Sequence, residues 1–311
     1  THGALLVVQL AFASQTVEGK LAMAPVSEGG GGVAPTALAM ARMLGGAAFF
    51  LAGRYLFGWR GPVQRRDHLA IAGLAFIGIA LNQTLFLMGL RLTSPVSAAL
   101  LSVTIPVFTA ALAVLLRQER PSLRTLLGLS VAVVGVLWLT GVRAVDRGAA
   151  LVAINAVSYS LYLVTSRPVI RRLGAFPVIT FVFVWACVLF APIGVPALVA
   201  DAPRWSARAW ALVAYIVVMP TIVAYLLNAW ALARTSAIVV TVYICTQPVL
   251  AAALAWAQLG TAPTARAAVA AVLIALGVGI VAGRGKAPVV PASRARGLEG
   301  AATNDPGGGV G

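Results

Sequence analysis

The chain is short of almost everything from which enzymes and metal sites are made. Eight acidic residues, two histidines and two cysteines are spread over 311 positions, and charged residues of either sign make up only 10% of the sequence. The acids are Glu18, Glu28, Asp67, Glu119, Asp146, Asp201, Glu299 and Asp305, and they form no acidic pair. His2 and His68 sit at the ends of apolar runs, while Cys187 and Cys245 lie inside such runs without CxxC spacing. These absences argue against a zinc site, a disulfide framework and a Ser/His/Asp constellation, and so against an enzyme. The net charge of +15 could suggest nucleic acid, but the basic residues fall in short breaks between apolar segments and form no aromatic-interleaved patch.

What remains is apolar. Hydrophobic residues are 60% of the chain and the mean hydropathy is +0.95, more apolar surface than a soluble domain of this length could bury. Within it one stretch occurs twice. Leu81 to Gly141, moved forward by 142 positions, falls on Val223 to Gly283 without a gap. Thr93-Ser94 then meets Thr235-Ser236, Thr104 meets Thr246, Pro106-Val107 meets Pro248-Val249 and Gly135 meets Gly277. Such duplication is how many transporters build a central site between two halves.

Runs of about 20 apolar residues, enough to cross a hydrocarbon core of about 30 Å, are expected at 3–24, 34–57, 68–90, 95–116, 123–142, 148–166, 175–199, 208–232, 236–258 and 265–283. The first could pass for a signal peptide, yet no Lys or Arg precedes it, and Glu18 and Lys20 stand where a cleavage site would fall. The missing initiator Met leads us to expect a few residues ahead of Thr1. With the N-terminus in the cytoplasm, fifteen Lys and Arg fall inside and six outside, which places both termini in the cytoplasm. Ten spans with this repeat give five per half. An odd number makes the second half enter the membrane in the opposite sense, so the expected fold is all-α, an integral membrane protein of two inverted five-helix repeats. The halves are expected at 1–145 and 146–283, followed by a disordered cytoplasmic tail at 284–311 that is rich in Gly, Pro and Ala.

The string Ala80-Leu81-Asn82-Gln83-Thr84-Leu85-Phe86, continuing through Gly89-Leu90-Arg91-Leu92-Thr93-Ser94 to Thr104-Ile105-Pro106-Val107-Phe108-Thr109-Ala110-Ala111-Leu112, resembles the third and fourth helices of EamA-type transporters of the drug/metabolite transporter superfamily. Lys20, Arg42 and Glu119 stand where that family commonly has basic, basic and acidic residues. The resemblance covers roughly residues 3 to 283. It implies ten helices, no bound cofactor, and secondary transport of small metabolites, often export of amino acids or related compounds. Two positions depart from it: Phe12-Ala13-Ser14 replaces a frequent Trp-Gly, and Thr261 stands at the second-half counterpart of Glu119.

Two sets of residues are candidates for function. Glu18, Lys20 and Arg42 are charges inside expected spans, where each costs about 2.5 to 3.5 kcal/mol on insertion scales and usually faces a cavity or a partner. Arg42 is the natural partner for Glu18, with Lys20 left to snorkel or to face the pathway; all three could equally reach headgroup-level water. Pro106 and Pro248 remove backbone donors at equivalent places and should kink their helices, as fixed bends or as hinges. These five are assigned to coupling or gating. The second set is polar and uncharged: Asn82, Gln83, Tyr225, Asn228, Tyr243 and Gln247, with Ser102, Thr104, Asn155, Ser158, Tyr159, Tyr162, Tyr215, Thr241 and Thr246 around them. The first six are assigned to substrate, because an uncharged lining suits a zwitterionic or polar solute. For any single residue, helix packing is the stronger alternative.

The expectation is thus a transporter, more specifically an exporter, of small polar or zwitterionic metabolites in the inner membrane, its partners being a small-molecule substrate and the lipid bilayer, with proton coupling and homodimerisation left open. Drug efflux on the same fold, or a non-transporting membrane assembly protein, are the alternatives.

Overall fold

A computed structural model of the chain describes residues 1–56, 58, 63–93, 98, 101–118, 121–140, 147–259 and 265–282. Glu119, Thr261 and the tail at 284–311 lie outside the described residues. Among the described residues the chain is helical, with no strand.

The rods, in order, are α1 (His2–Met23), α2 (Pro35–Leu56), α3 (Asp67–Leu92), α4 (Thr104–Leu115), α5 (Leu123–Thr140), α6 (Arg147–Leu173), α7 (Ala175–Asp201), α8 (Ala207–Arg234), α9 (237–259) and α10 (Ala265–Ala282). By length and hydropathy α2, α3, α6, α7 and α8 are fit to cross a membrane, α7 running on to Arg204 in that count. Shorter apolar helices occupy Thr104–Leu115, Leu123–Gly135, Ala237–Ala251 and Ala268–Val281. The 22 residues of α1 are long enough, but Gln9, Gln15, Glu18 and Lys20 dilute its apolar character.

Local sequence explains the ends. Pro35 opens α2, where its missing N–H would have had no partner in any case. Gly174 alone joins α6 to α7: its φ of 92° is open to glycine without strain, and its N–H closes on Ile170 O at 2.8 Å. Asp201 ties α7 to the entry of α2, accepting from Ala34 N at 2.7 Å and from Trp205 Nε1 at 3.0 Å. At another junction Asp67, at the start of α3, accepts from Arg172 Nη2 near the end of α6 at 2.7 Å.

Packing repeats with the sequence. α2 lies along α7, α5 along α10 and α4 against α9; α3 packs on α6 as α8 packs on α1, and α4 on α6 as α9 on α1. Exchanging each helix with the one five places on returns the same pairs. Between α5 and α10 the backbones come so close that a Cβ added at Gly277 would sit 2.5 Å from Gly128 O, a van der Waals contact that only small residues permit. Gly128, Gly135 and Gly277 thus serve helix packing within one chain.

Regular helix also fails at repeated places. α3 widens into a π-helical stretch at Phe76–Ala80 and α8 at Val218–Val223, which begins 142 positions later. In α8 the cause is visible, since Pro220 lacks the N–H that a regular turn would use. α9 tightens to 3₁₀ at Tyr243–Thr246, and Val103 breaks the approach to α4 at the matching position. In each break a threonine hydroxyl donates to the carbonyl three residues back, Thr104 to Leu101 O at 2.6 Å and Thr246 to Tyr243 O at 2.7 Å. Pro106 and Pro248 follow within the first turn of the resumed helix. They are therefore not mid-helix kinks: each stands where a helix restarts, a position that tolerates a missing donor.

Candidate functional site

These breaks surround a cavity between the two halves. From the first half, α1 contributes Phe12 and Gln15, α2 contributes Arg42, α3 contributes Asn82, Gln83 and Phe86, the approach to α4 contributes Ser102, and the first turn of α4 contributes Ile105. From the second half come Asn155 and Tyr159 of α6, Tyr225 of α8, and Ile244 and Gln247 of α9. The repeat explains much of this set. Gln83 and Tyr225, Ser102 and Ile244, and Ile105 and Gln247 are pairs of equivalent positions 142 apart, so one face of each duplicated helix meets the other across shared space.

The cavity has a volume of about 70 Å³, space for a few waters and well below a nucleotide or a lipid.

Arg42 is the one charged side chain in the lining. It is 1% exposed. Expected to meet Glu18, it is instead held across the bundle: Nε donates to Thr221 Oγ1 at 2.8 Å and Nη2 to Pro220 O at 3.3 Å. Both acceptors belong to the π-helical stretch of α8, and Thr221 is itself oriented by donating to Ile216 O at 2.9 Å. Glu18 lies half-buried on α1.

The amides divide into engaged and unengaged groups. Asn82 and Asn155 donate to each other's backbone carbonyls, at 3.4 and 2.8 Å, and lock α3 to α6. Gln247 Nε2 donates to Gln9 Oε1 at 2.7 Å, joining α9 to α1. Gln83, 2% exposed, makes no hydrogen bond of good geometry, and its one polar neighbour in the wall is the Tyr225 hydroxyl. Gln15 likewise makes no side-chain hydrogen bond among the described residues. Leaving a buried amide unpaired costs about 1 to 3 kcal/mol, which marks the Gln83 side of the cavity as a place that expects a guest.

Of the six residues assigned to substrate, four meet here: Asn82, Gln83, Tyr225 and Gln247. Asn228 stands behind them, its Nδ2 donating to Tyr159 Oη at 3.0 Å. Tyr243 points to the start of α1, where its hydroxyl bonds His2 Nδ1. Lys20 is spent at a helix end: its ammonium donates to the carbonyls of Leu90, Arg91 and Thr93, each at 3.0 Å, closing the C-terminus of α3 where a cation is favoured. Sequence reasoning missed Phe12, Gln15, Phe86, Ile105 and Ile244. Gln15 carried a readable signal, an amide in an apolar run. The other four did not, because an apolar residue lining a cavity reads like any residue in a core.

A helical bundle of this apolarity, duplicated and holding a polar cavity between its halves, defines the class as a membrane transporter. Comparison with known proteins agrees and is more specific. The profile of the EamA-like transporter family matches twice, over residues 3–141 and 146–283, so the chain belongs to that family. It is 29% identical over 238 residues to an uncharacterized transporter of Bacillus subtilis (strain 168), YdfC, an alignment covering 75% of this chain and 77% of the relative. Among solved structures it is similar to a crystal structure described only as a protein, with a TM-score of 0.72, 20% identity, and coverage of 90% of this chain and 97% of that one, a likeness of fold alone.

Proposed function

We propose that this protein is a secondary transporter that exports small polar or zwitterionic metabolites of amino-acid size across the inner membrane. In this reading ten helices cross the bilayer as two inverted five-helix repeats, both termini are cytoplasmic, and the halves rock about the cavity to expose it to one side at a time. The observation that carries the proposal is the cavity itself, lined from both halves by equivalent positions. A site at a repeat interface, next to interrupted helices, is what alternating access requires. Its volume favours a metabolite over a bulky drug. Asn82, Gln83, Tyr225 and Gln247 would touch the solute, with Asn228 and Tyr243 supporting the wall. The breaks before Pro106 and Pro248 would let their helices bend. Lys20 would hold the end of α3 through the cycle, and coupling to a proton gradient would fall to Glu18, the one acid within the spans expected from the sequence.

Vesicles carrying the purified protein test this. Preloaded with a labelled panel of neutral amino acids, they should release at least one member saturably, faster with a proton gradient if Glu18 couples. Release no faster than from empty vesicles for every member would rule the proposal out.

A further inference from the structure

The cavity contains one fixed positive charge and no negative one among its lining residues, Asn, Gln, Ser, Tyr and apolar side chains making up the rest. Only two groups of the Arg42 fork are engaged, Nε and Nη2, and both donate to neutral oxygens. The guanidinium has five donors, and Nη1 has no protein acceptor among the described residues. A buried cation that meets only neutral acceptors is poorly compensated for the water it has given up. Independently, the Gln83 amide lies buried in the same wall with no hydrogen bond of good geometry, beside the Tyr225 hydroxyl.

We propose that Arg42 anchors the substrate and that the group it takes is a carboxylate, carried by a small monocarboxylic solute whose second polar group binds Gln83. This deepens the transport reading and rests on it. Charge decides the class. A single carboxylate neutralises the single guanidinium, and the planar fork accepts it on two parallel bonds. A dicarboxylate or phosphate would leave surplus negative charge without a partner, and a cation would meet Arg42 head on. The ammonium of an amino acid is tolerated, not required: amide oxygens at Gln83 and Gln15 can accept from it, whereas nothing in the lining pairs it as an ion. Phe12, Phe86 and Ile244 leave an apolar wall for a short side chain.

The test is binding to the purified full chain in nanodiscs at neutral pH, with three probes of one shape: L-valine, 3-methylbutanoate and L-valinamide. Thermal stabilisation by valine and by 3-methylbutanoate should saturate, and valinamide should bind at least about tenfold more weakly. Arg42→Gln should bring the valine-to-valinamide ratio close to one. Arg42→Lys, which keeps the charge but loses the fork, should keep the preference at reduced affinity. General damage would move all three probes together, so the ratio reports the charge. Should Arg42→Gln not fold, the wild-type ratio and the lysine variant carry the test. Equal binding of valine and valinamide by the wild type, no binding of any probe, or a preference that survives Arg42→Gln each overturns the inference. Saturable flux of an uncharged or cationic solute without carboxylate binding would overturn this inference alone. Arg42-dependent carboxylate binding with no flux in vesicles would overturn the transport reading alone.

Discussion

Gln83 is kept at 2% exposure with no well-formed hydrogen bond, only the Tyr225 hydroxyl beside it, an arrangement a stability-driven core would not retain, since removing a poorly paired buried amide returns about 1 to 3 kcal/mol. Gln83→Leu should therefore raise the melting temperature of the purified protein while weakening solute binding; a melting temperature that falls would mean that the amide has a partner in the resting protein. The two tyrosines separate in the same way. Tyr225 lines the cavity and the Tyr243 hydroxyl is committed to His2. Tyr225→Phe should thus lower apparent affinity several-fold, while Tyr243→Phe should leave affinity unchanged and loosen only the start of α1, measured as faster amide exchange there. At this scale the polar residues of apolar runs were legible, and four of the six chosen that way line the cavity. Which polar groups stay free was not legible. Asn82 and Gln83 are neighbours of similar chemistry, and only the arrival of α6, with the Asn155 carbonyl, distinguishes an engaged amide from an open one.

Among elements, the ends of α3 and α8 are closed by the same device from different residues. Lys20 of α1 donates to Thr93 O, and Arg167 of α6 donates to Thr235 O at 2.9 Å. Thr93 and Thr235 are repeat equivalents, while Lys20 and Arg167 are 147 apart and so escape the register of 142. Helix α6 does for α8 what α1 does for α3. Replacing either cation by methionine should destabilise the fold by a similar amount, about 1.5 to 3 kcal/mol for a charge-assisted bond, reduced for both by their partial exposure and read from denaturation of the purified protein. A large loss for one and none for the other would break the equivalence. The prolines lead to a different expectation. Pro106→Ala and Pro248→Ala return an N–H that a helix restart does not need, so each variant should melt close to the wild type and, in vesicles, turn over more slowly with affinity retained. The repeated Thr-x-Pro was plain in the sequence, and so was the fact of a break. Its form was not, because a proline inside a helix and one just after a restart have the same neighbours in sequence and differ in the backbone ahead of them.

For the whole molecule, the expected sidedness puts Gln64 and Pro203 on opposite faces of the membrane. Reporter fusions after those residues should give opposite signals, and matching signals would remove the inverted arrangement. The duplication itself was the most legible feature, since an offset without gaps needs no structure to be seen, and the packing repeats it helix by helix. Less legible was how unequal the halves are where they meet. Position 42 in α2 holds arginine, whereas its repeat counterpart α7 holds no basic residue. An assembly of two identical halves would have no such freedom. Two copies of the first would face two guanidinium groups across one small cavity, repelling one another and demanding a dianion; two copies of the second would offer no charge at all. Joining the halves in one chain permits a lone charge at the centre of a near-symmetric site, and a lone charge gives the guest a head and a tail. The solute can then be held in one orientation, whichever side it entered from.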